Sequence, residues 1–300
     1  MFAGFDRRQI DVGDGVTINC VIGGSGAPVL LLHGYPQTHA MWAKVAPQLA
    51  RDYTVVCPDL RGYGDSSKPH ATADSSNYSF RALAADQVAV MRALGFPAFH
   101  LVGHDRGGRT AHRLALDHPG AVRSMVVMDI APTYNTLTDV SRALAQRYWH
   151  WYFLSRPEPL PEKLIGADPD FFYEGMLGSL GTTTGRGMAL SLFSEEQLAE
   201  YRRCWRDPAM IHASCADYRA TILHDLGFDT ADRGKVKITC PALAVWGTQG
   251  AMAQIFDVAA LWREWCTDLR TASLPSGHFF IDHLPNETTA MLLDFWKSCP

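Results

Sequence analysis

Short runs of apolar residues recur along the chain at the length of β-strands. Because β-branched residues and leucine dominate them, we expect strands that are buried on both faces, as in a parallel sheet. The runs are residues 29–32, 54–57, 98–102, 125–128, 242–245 and 270–274.

Longer segments with helical spacing separate these runs. In residues 80–94, for example, Leu83, Val88 and Met91 fall on one stripe of a helix. Strands that alternate with helices are typical of a parallel sheet wrapped by helices. The pattern therefore predicts an α/β protein with a mostly parallel sheet.

The alternation stops between residues 131 and 222, where the sequence is helix-like and rich in aromatic residues. Ser194-Glu-Glu-Gln has the spacing of a capping box and predicts a helix start there. We predict a helical lid of residues 132–221 inserted between the sixth and seventh strands of a core formed by residues 1–131 and 222–300. Most aromatic residues of the lid are expected to form its core. The aromatic residues noted in this segment are Trp149, Trp151, Phe153, Phe171, Phe172, Trp205 and Tyr218.

Composition narrows the function classes. With 300 residues, 47% hydrophobic and 19% charged, the chain is long enough for one well-cored unit. A net charge of -4 gives no basic field for nucleic acid or an anionic membrane.

The N-terminus does not have the pattern of a signal peptide, so a cytoplasmic protein is expected. The seven cysteines and twelve histidines form no metal-binding motif, and we expect no metal and no cofactor.

The run at residues 98–102 leads into Gly103-His104-Asp105-Arg106-Gly107 and then into a helical segment. A strand, a tight turn and a helix are the setting of a nucleophile elbow, in which small residues flank the nucleophile because the backbones nearly touch. Here the nucleophile is Asp105, and a carboxylate attacks an sp³ carbon to form an ester that water must open. A plain glycine turn is the alternative interpretation.

A second loop follows residues 29–32 and has the sequence His33-Gly34-Tyr35-Pro36. An elbow protein of this kind places its oxyanion loop there, so the backbone N–H groups of Tyr35 and Arg106 are the expected oxyanion donors. We expect His33 to brace the loop.

The general base should come late in the chain, after the nucleophile and the acid. His278 follows the run at residues 270–274 and is the candidate, with His283 as a weaker one. Residues 246–250 contain no carboxylate, whereas Asp129 directly follows the run at residues 125–128. Asp129 is therefore expected to orient His278, which activates water.

Two arginines and three lid residues suggest the substrate. Arg106 follows the nucleophile, and with Arg109 it predicts a clamp for a carboxylate, although Arg109 alone could be a solvated surface residue. His150, Trp151 and Tyr218 each offer a hydrogen-bond donor, and together they predict a cradle for the departing halide.

These residues and motifs resemble the haloacetate dehalogenase family of the α/β-hydrolase superfamily. The resemblance covers nearly the whole chain and rests on residues 33–39, residues 103–107 and Asp-Tyr-Arg-Ala at residues 217–220. It implies an eight-stranded α/β-hydrolase fold, the site residues named above, a cofactor-free enzyme and a homodimer. Its substrates would be a short haloacid, fluoroacetate among them, and water. Leu180 stands where fluoroacetate enzymes of the family carry a tryptophan, so other haloacids are expected as substrates too.

Three other interpretations share parts of this pattern. An epoxide hydrolase has the same aspartate elbow but needs two lid tyrosines and no carboxylate clamp. A haloalkane dehalogenase typically has tryptophan at the position of Arg106. A non-catalytic binding protein of this fold would usually lack the nucleophile or the base.

Overall fold

A computed structural model describes residues 1–181 and 190–299, apart from the side chains of residues 180 and 181. Eight strands form one sheet in the order β1-β2-β4-β3-β5-β6-β7-β8. Strands β3 to β8 are parallel, while β2 pairs antiparallel with both β1 and β4. The strands are β1 Asp6–Gly13, β2 Val16–Gly23, β3 Ala27–Leu32, β4 Tyr53–Pro58, β5 Phe99–His104, β6 Val122–Met128, β7 Ala242–Gly247 and β8 Leu269–Leu274.

Alternate residues of the central strands divide between two apolar cores, one on each face of the sheet. Leu30 and Leu101 belong to one core, and their chain neighbours Leu31 and Val102 belong to the other. This alternation follows from the two-residue period of a strand. The expectation of burial on both faces is wrong for β8, because this edge strand has partners on one side only and is partly exposed along its length.

Helices cover both faces of the sheet and form the segment between β6 and β7. We number them α1 to α15 in chain order. They are α1 Ala46–Leu49, α2 Phe80–Ala93, α3 Arg106–Asp117, α4 Thr133–Thr138, α5 Arg142–Arg147, α6 Trp149–Leu154, α7 Leu160–Ala167, α8 Pro169–Gly181, α9 Glu195–Trp205, α10 Pro208–Ala220, α11 Leu226–Asp232, α12 Ala251–Ile255, α13 Val258–Arg263, α14 Phe280–His283 and α15 Pro285–Lys297. Short 3₁₀ turns occupy His39–Lys44, Ser76–Tyr78 and Pro119–Ala121, and a π-helical turn spans Thr221–Asp225.

We call the helical segment between β6 and β7 the cap. Its helices run from Thr133 to Asp232, so they extend past residue 221, the predicted end of the lid. Ser194 begins α9 with a complete capping box, as its sequence predicts. The expectation that most lid aromatics are core is confirmed. Trp151, Trp205 and Tyr218 are buried in the main apolar core, and Phe153 and Phe172 are half-buried against it. Trp149 and Phe171 are the exceptions among the named residues, with 43% and 63% exposure.

Within the described residues, no helix has both the length and the apolar character needed to span a membrane.

Candidate active site

Asp105 lies at the junction of β5 and α3 in a strained conformation, with φ 49° and ψ -117°. Two glycines, Gly103 and Gly34, make this junction possible. A Cβ on Gly103 would lie 2.2 Å from the carbonyl oxygen of Gly107, and a Cβ on Gly34 would lie 2.5 Å from the Cβ of Asp105. No side chain tolerates contacts this short. Both positions must therefore be glycine for the backbone to adopt this conformation.

The Asp105 carboxylate is buried and ready to act as an anion. Its Oδ1 accepts a hydrogen bond from the Tyr35 N–H at 2.9 Å. Burial opposes ionisation, but the nearby His278 and His104 rings and the Tyr35 N–H outweigh it and lower the pKa of Asp105 to about 2. The carboxylate is therefore ionised at neutral pH. The Tyr35 N–H is therefore close enough to donate a hydrogen bond to the carbonyl oxygen of an ester formed on Asp105.

His278 and Asp129 form a buried pair beside this carboxylate. His278 Nδ1 donates to Asp129 Oδ2 at 2.6 Å, while Asp129 Oδ1 accepts from the Gly247 N–H at 2.9 Å. Burial disfavours the imidazolium, but the bond to Asp129 and the charges of Asp129 and Asp105 outweigh it and raise the pKa of His278. The opposite ring nitrogen, Nε2, is buried and has no hydrogen-bond partner among the described residues. This free nitrogen can accept a proton from water.

Arg106 is completely buried, and Asp217 of α10 fixes its guanidinium. The Nε atom donates to Asp217 Oδ2 at 3.0 Å, and Nη2 donates to Asp217 Oδ1 and to the Thr221 hydroxyl. The Tyr63 hydroxyl donates to the same carboxylate at 3.0 Å. Within the described part of the chain only Nη1 of Arg106 remains without a partner. One N–H edge of this arginine is therefore left for a ligand.

Arg109 differs from Arg106 because its hydrogen-bond acceptors are neutral. Its Nη1 donates to the Ala131 carbonyl at 3.0 Å and to the Thr133 hydroxyl at 3.1 Å, and Nη2 reaches the Thr136 hydroxyl. The Nε atom is buried and has no partner among the described residues. Burial lowers the pKa of Arg109 to about 10, so the charge persists at neutral pH. The alternative of a solvated Arg109 is wrong, because the residue is 2% exposed.

The three predicted halide ligands come together around one aromatic cluster. The ring centroids of His150 and Trp151 lie 5.8 Å and 5.6 Å from that of Tyr218. His150 Nδ1, Trp151 Nε1 and the Tyr218 hydroxyl are all buried and lack a hydrogen-bond partner in the described structure. Buried polar atoms are rarely left unpaired, and several unpaired ones together are typical of a site that binds a polar ligand.

The remaining sequence candidates have other positions. His33 Nε2 accepts from the Leu60 N–H at 2.9 Å, which braces the loop as expected. His283 lies 2.8 Å from the Ser276 hydroxyl and is exposed. The side chain of Leu180 lies outside the described residues.

Two features of the site were not found from the sequence. Asp217 belongs to a motif that carries the resemblance, but its pairing with Arg106 spans 111 positions and no local pattern indicates it. The Tyr35 hydroxyl is the second, because only the backbone of Tyr35 was considered. This hydroxyl is buried and unpaired in the described structure, and its ring centroid lies 5.3 Å from that of Tyr218.

An elbow aspartate, a late histidine and a cap over a mostly parallel sheet define a class. The chain belongs to the alpha/beta hydrolase fold family, whose model matches residues 27–283. It is 57% identical to a fluoroacetate dehalogenase from Burkholderia sp over 295 residues, which cover 98% of this chain and 95% of the relative. The resemblance inferred from the sequence motifs is thereby confirmed.

Two further comparisons describe how widely the fold is shared. A soluble epoxide hydrolase from Corynebacterium sp. (strain C12) is 31% identical and is covered over 94% of both chains. The crystal structure of ALR0039 from Nostoc sp PCC 7120 has 47% sequence identity and a TM-score of 0.95, with 100% of both chains covered. The epoxide hydrolase is thus a more distant relative than the dehalogenase.

Proposed function

We propose that this protein is a hydrolytic dehalogenase that converts a short haloacid, a haloacetate such as fluoroacetate, to the hydroxy acid and halide. The 57% identical relative supports the reaction class. Asp105 would be the nucleophile, His278 the base and Asp129 its orienting acid.

The observation that carries the substrate class is the buried charge of Arg109. Its hydrogen bonds go to neutral oxygens, and its Nε is free among the described residues, whereas the charge of Arg106 is matched by Asp217. A buried cation is costly unless an anion compensates it. The Asp105 carboxylate acts on Arg109 through space, and no hydrogen bond joins the two side chains among the described residues. A substrate carboxylate bound by Arg109 Nε and Arg106 Nη1 would supply an anion in direct contact. A neutral epoxide or chloroalkane would leave both groups unpaired.

In the first step, Asp105 attacks the carbon that bears the halogen. A C–O bond forms as the C–X bond breaks, and the halogen departs with the bonding electron pair as halide. The unpaired donors of His150, Trp151 and Tyr218 would stabilise the developing negative charge. Each well-placed donor is worth about 3 kcal/mol, which matters most for fluoride, a poor leaving group.

In the second step, water opens the ester. His278 Nε2 takes a proton from water as the oxygen attacks the ester carbonyl carbon of Asp105. The Tyr35 and Arg106 N–H groups would hold the oxyanion, and Asp129 stabilises the imidazolium. As the tetrahedral intermediate collapses, the imidazolium returns its proton to the leaving alkoxide. This step regenerates the Asp105 carboxylic acid, which loses its proton to solvent because its pKa is low.

Halide release tests this proposal most directly. Ion chromatography would follow fluoroacetate, chloroacetate and a neutral chloroalkane side by side. We expect halide from the two acids and none from the chloroalkane. Asp105→Asn removes the nucleophilic charge at constant size and should abolish release, whereas Asp52→Asn on the exposed surface should leave it unchanged.

The other outcomes would contradict specific parts of the proposal. Halide from the chloroalkane at a comparable rate would contradict the arginine clamp. Failure to release halide from either acid, together with diol formation from an epoxide, would replace the proposal by the epoxide hydrolase interpretation. Release that survives Asp105→Asn would contradict the nucleophile.

Compartment and assembly belong to the same proposal. We infer a cytoplasmic homodimer. All seven cysteines are free thiols, which suits a reducing compartment. The cap exposes Leu160, Leu164 and Phe171, a set of apolar side chains that a second copy could cover. Light scattering on the purified chain would measure the mass, and a monomer at all concentrations would contradict the dimer.

A further inference from the structure

A cluster of metal-binding side chains lies where the cap meets the core, apart from the residues of the candidate active site. His70 belongs to the core loop between β4 and α2, Glu158 precedes α7, and His212 lies on α10. One potential ligand atom from each lies within 4.8 Å of the others. His70 and Glu158 line a cavity of about 430 Å³, and neither His212 nor the candidate catalytic residues are part of its wall.

One ring nitrogen of His70 is left free for a metal ion. Its Nδ1 lies 3.2 Å from the Ala71 carbonyl oxygen, so Nδ1 carries the proton and Nε2 keeps its lone pair. Metal-binding histidines usually donate their other ring N–H to a carbonyl or carboxylate in this way. The ring is exposed, so it can adjust toward an ion without disturbing the core.

His212 brings carboxylates to the same place. Its Nδ1 lies 3.7 Å from Glu158 Oε1 and 3.9 Å from Glu162 Oε1. Arg219 pairs with Glu162, while Glu158 has no arginine partner among the described residues. Glu158 is therefore the carboxylate available to an ion.

One hydrogen bond competes with an ion. The Ala71 N–H donates to His212 Nε2 at 3.1 Å, and coordination through either ring nitrogen requires that bond to be lost or the ring to turn over. A hydrogen bond of this kind is worth about 1 kcal/mol net, or roughly a fivefold loss of affinity. Two imidazoles and a carboxylate on a divalent ion outweigh a term of that size.

We propose that His70, Glu158 and His212 form a site for a divalent transition-metal ion of the zinc class, which ties the cap to the core. Imidazole and carboxylate ligands suit Zn²⁺, Co²⁺ and Ni²⁺, whereas Mg²⁺ prefers six oxygen ligands. Because His70 comes from the core and the other two ligands from the cap, a bound ion bridges the two parts. The site is independent of the dehalogenase proposal.

Calorimetric titration of Zn²⁺ into the untagged, EDTA-treated and dialysed chain at pH 7.5 tests the site. We expect one high-affinity equivalent of Zn²⁺ and no comparable binding of Mg²⁺. Each of His70→Ala, His212→Ala and Glu158→Gln should weaken binding by at least about tenfold, since even changes to groups that only orient metal ligands cost about 10- to 100-fold. His118→Ala removes a histidine elsewhere and should not change the affinity.

A structural readout separates this site from adventitious binding. Zn²⁺ should raise the melting temperature of the parent and of His118→Ala, but not that of His70→Ala, whose ring is exposed and whose loss should not unfold the protein. Equal Zn²⁺ affinity in all variants would overturn the site. A thiolate-to-metal charge-transfer band with Co²⁺ would assign the binding to cysteines instead and would also overturn it.

Discussion

Asp105 and His278 would both act in their deprotonated forms, and their surroundings shift their pKa values in opposite directions. The pKa of Asp105 lies at about 2, so this candidate nucleophile is ionised at neutral pH and in mild acid. The pKa of His278 is raised above 6.5 by Asp129 and Asp105, although burial opposes this. Alkylation should therefore be insensitive to mild acid, whereas ester hydrolysis needs neutral His278 and should slow as the pH falls and the ring becomes protonated.

His278→Asn should separate the two steps. Attack by Asp105 on chloroacetate needs no base, but without His278 water cannot open the ester, so the intermediate should accumulate. The measurement is the mass of the proteolytic peptide that contains Asp105, which should increase by one carboxymethyl group. His118→Asn is the matched control and should turn over chloroacetate without a mass change. An unmodified peptide from the His278 variant would contradict the nucleophile assignment.

At the scale of elements, the junction of β5 and α3 holds Asp105, the candidate nucleophile, in its position. A methyl group on Gly103 would lie 2.2 Å from the carbonyl oxygen of Gly107, and backbone atoms cannot move aside as a flexible side chain can. Gly103→Ala should therefore lower the free energy of unfolding by about 3 kcal/mol or more, through overpacking at a fixed junction.

Gly120→Ala is the matched control for that substitution. Gly120 follows α3, and an added Cβ there meets no atom within 4 Å. Its free energy of unfolding should stay within about 0.5 kcal/mol of the parent. Urea unfolding of both variants makes the comparison, and equal stability would mean that the junction is looser than its geometry indicates.

Short sequence patterns predicted the strands that consist of a continuous run of apolar residues. Apolar runs indicated six of the eight strands, but β1 was missed because its sequence is polar and its residues are mostly exposed at the sheet edge. Strand β2 was missed with it, although its residues are buried. The candidate nucleophile, base and acid could be found because each lies in the loop or turn that follows a predicted strand.

Contacts between distant segments were not predictable in the same way. The pairing of Asp217 with Arg106 depends on how α10 packs over the elbow. The grouping of His70, Glu158 and His212 depends on how the cap meets the core, so a search for metal motifs along the chain does not find it. Such groups are set by packing and not by spacing.

At the scale of the whole molecule, a buried polar network around Asp282 joins cap and core. Asp282 Oδ1 accepts from Gln197 of α9 at 2.7 Å, and the same Gln197 side chain donates to the Ala40 carbonyl at 3.1 Å. Gln37, beside the oxyanion loop, donates to Asp282 Oδ2 and to the Tyr201 hydroxyl. The packing of the cap is thereby coupled to the loop that carries the Tyr35 N–H.

The charge state of Asp282 should make this junction sensitive to pH. Burial raises the pKa of Asp282 to about 7, although the bond from Gln197, the charge of Lys44 and the bond from Gln37 oppose this. An unfolded aspartate has a pKa of about 3.9, so between these values the folded state binds more protons than the unfolded state. The contribution of Asp282 to stability is therefore fully present below about pH 4 and is lost as the pH rises toward 7.

Asp282→Asn should remove this dependence, because the amide cannot ionise. The free energy of unfolding of the variant minus that of the parent should therefore increase as the pH rises from 5 to 8. At about 1.4 kcal/mol per pKa unit, the increase should amount to a few kcal/mol. The substitution also changes the hydrogen bond with Gln37, but that cost is the same at every pH. The prediction therefore concerns the slope of the free energy of unfolding against pH, not its absolute value. Asp52→Asn, on the exposed surface, should show a slope equal to that of the parent. If urea unfolding gave parallel curves for the parent and Asp282→Asn, Asp282 would be ionised throughout and the cap would be held by other contacts.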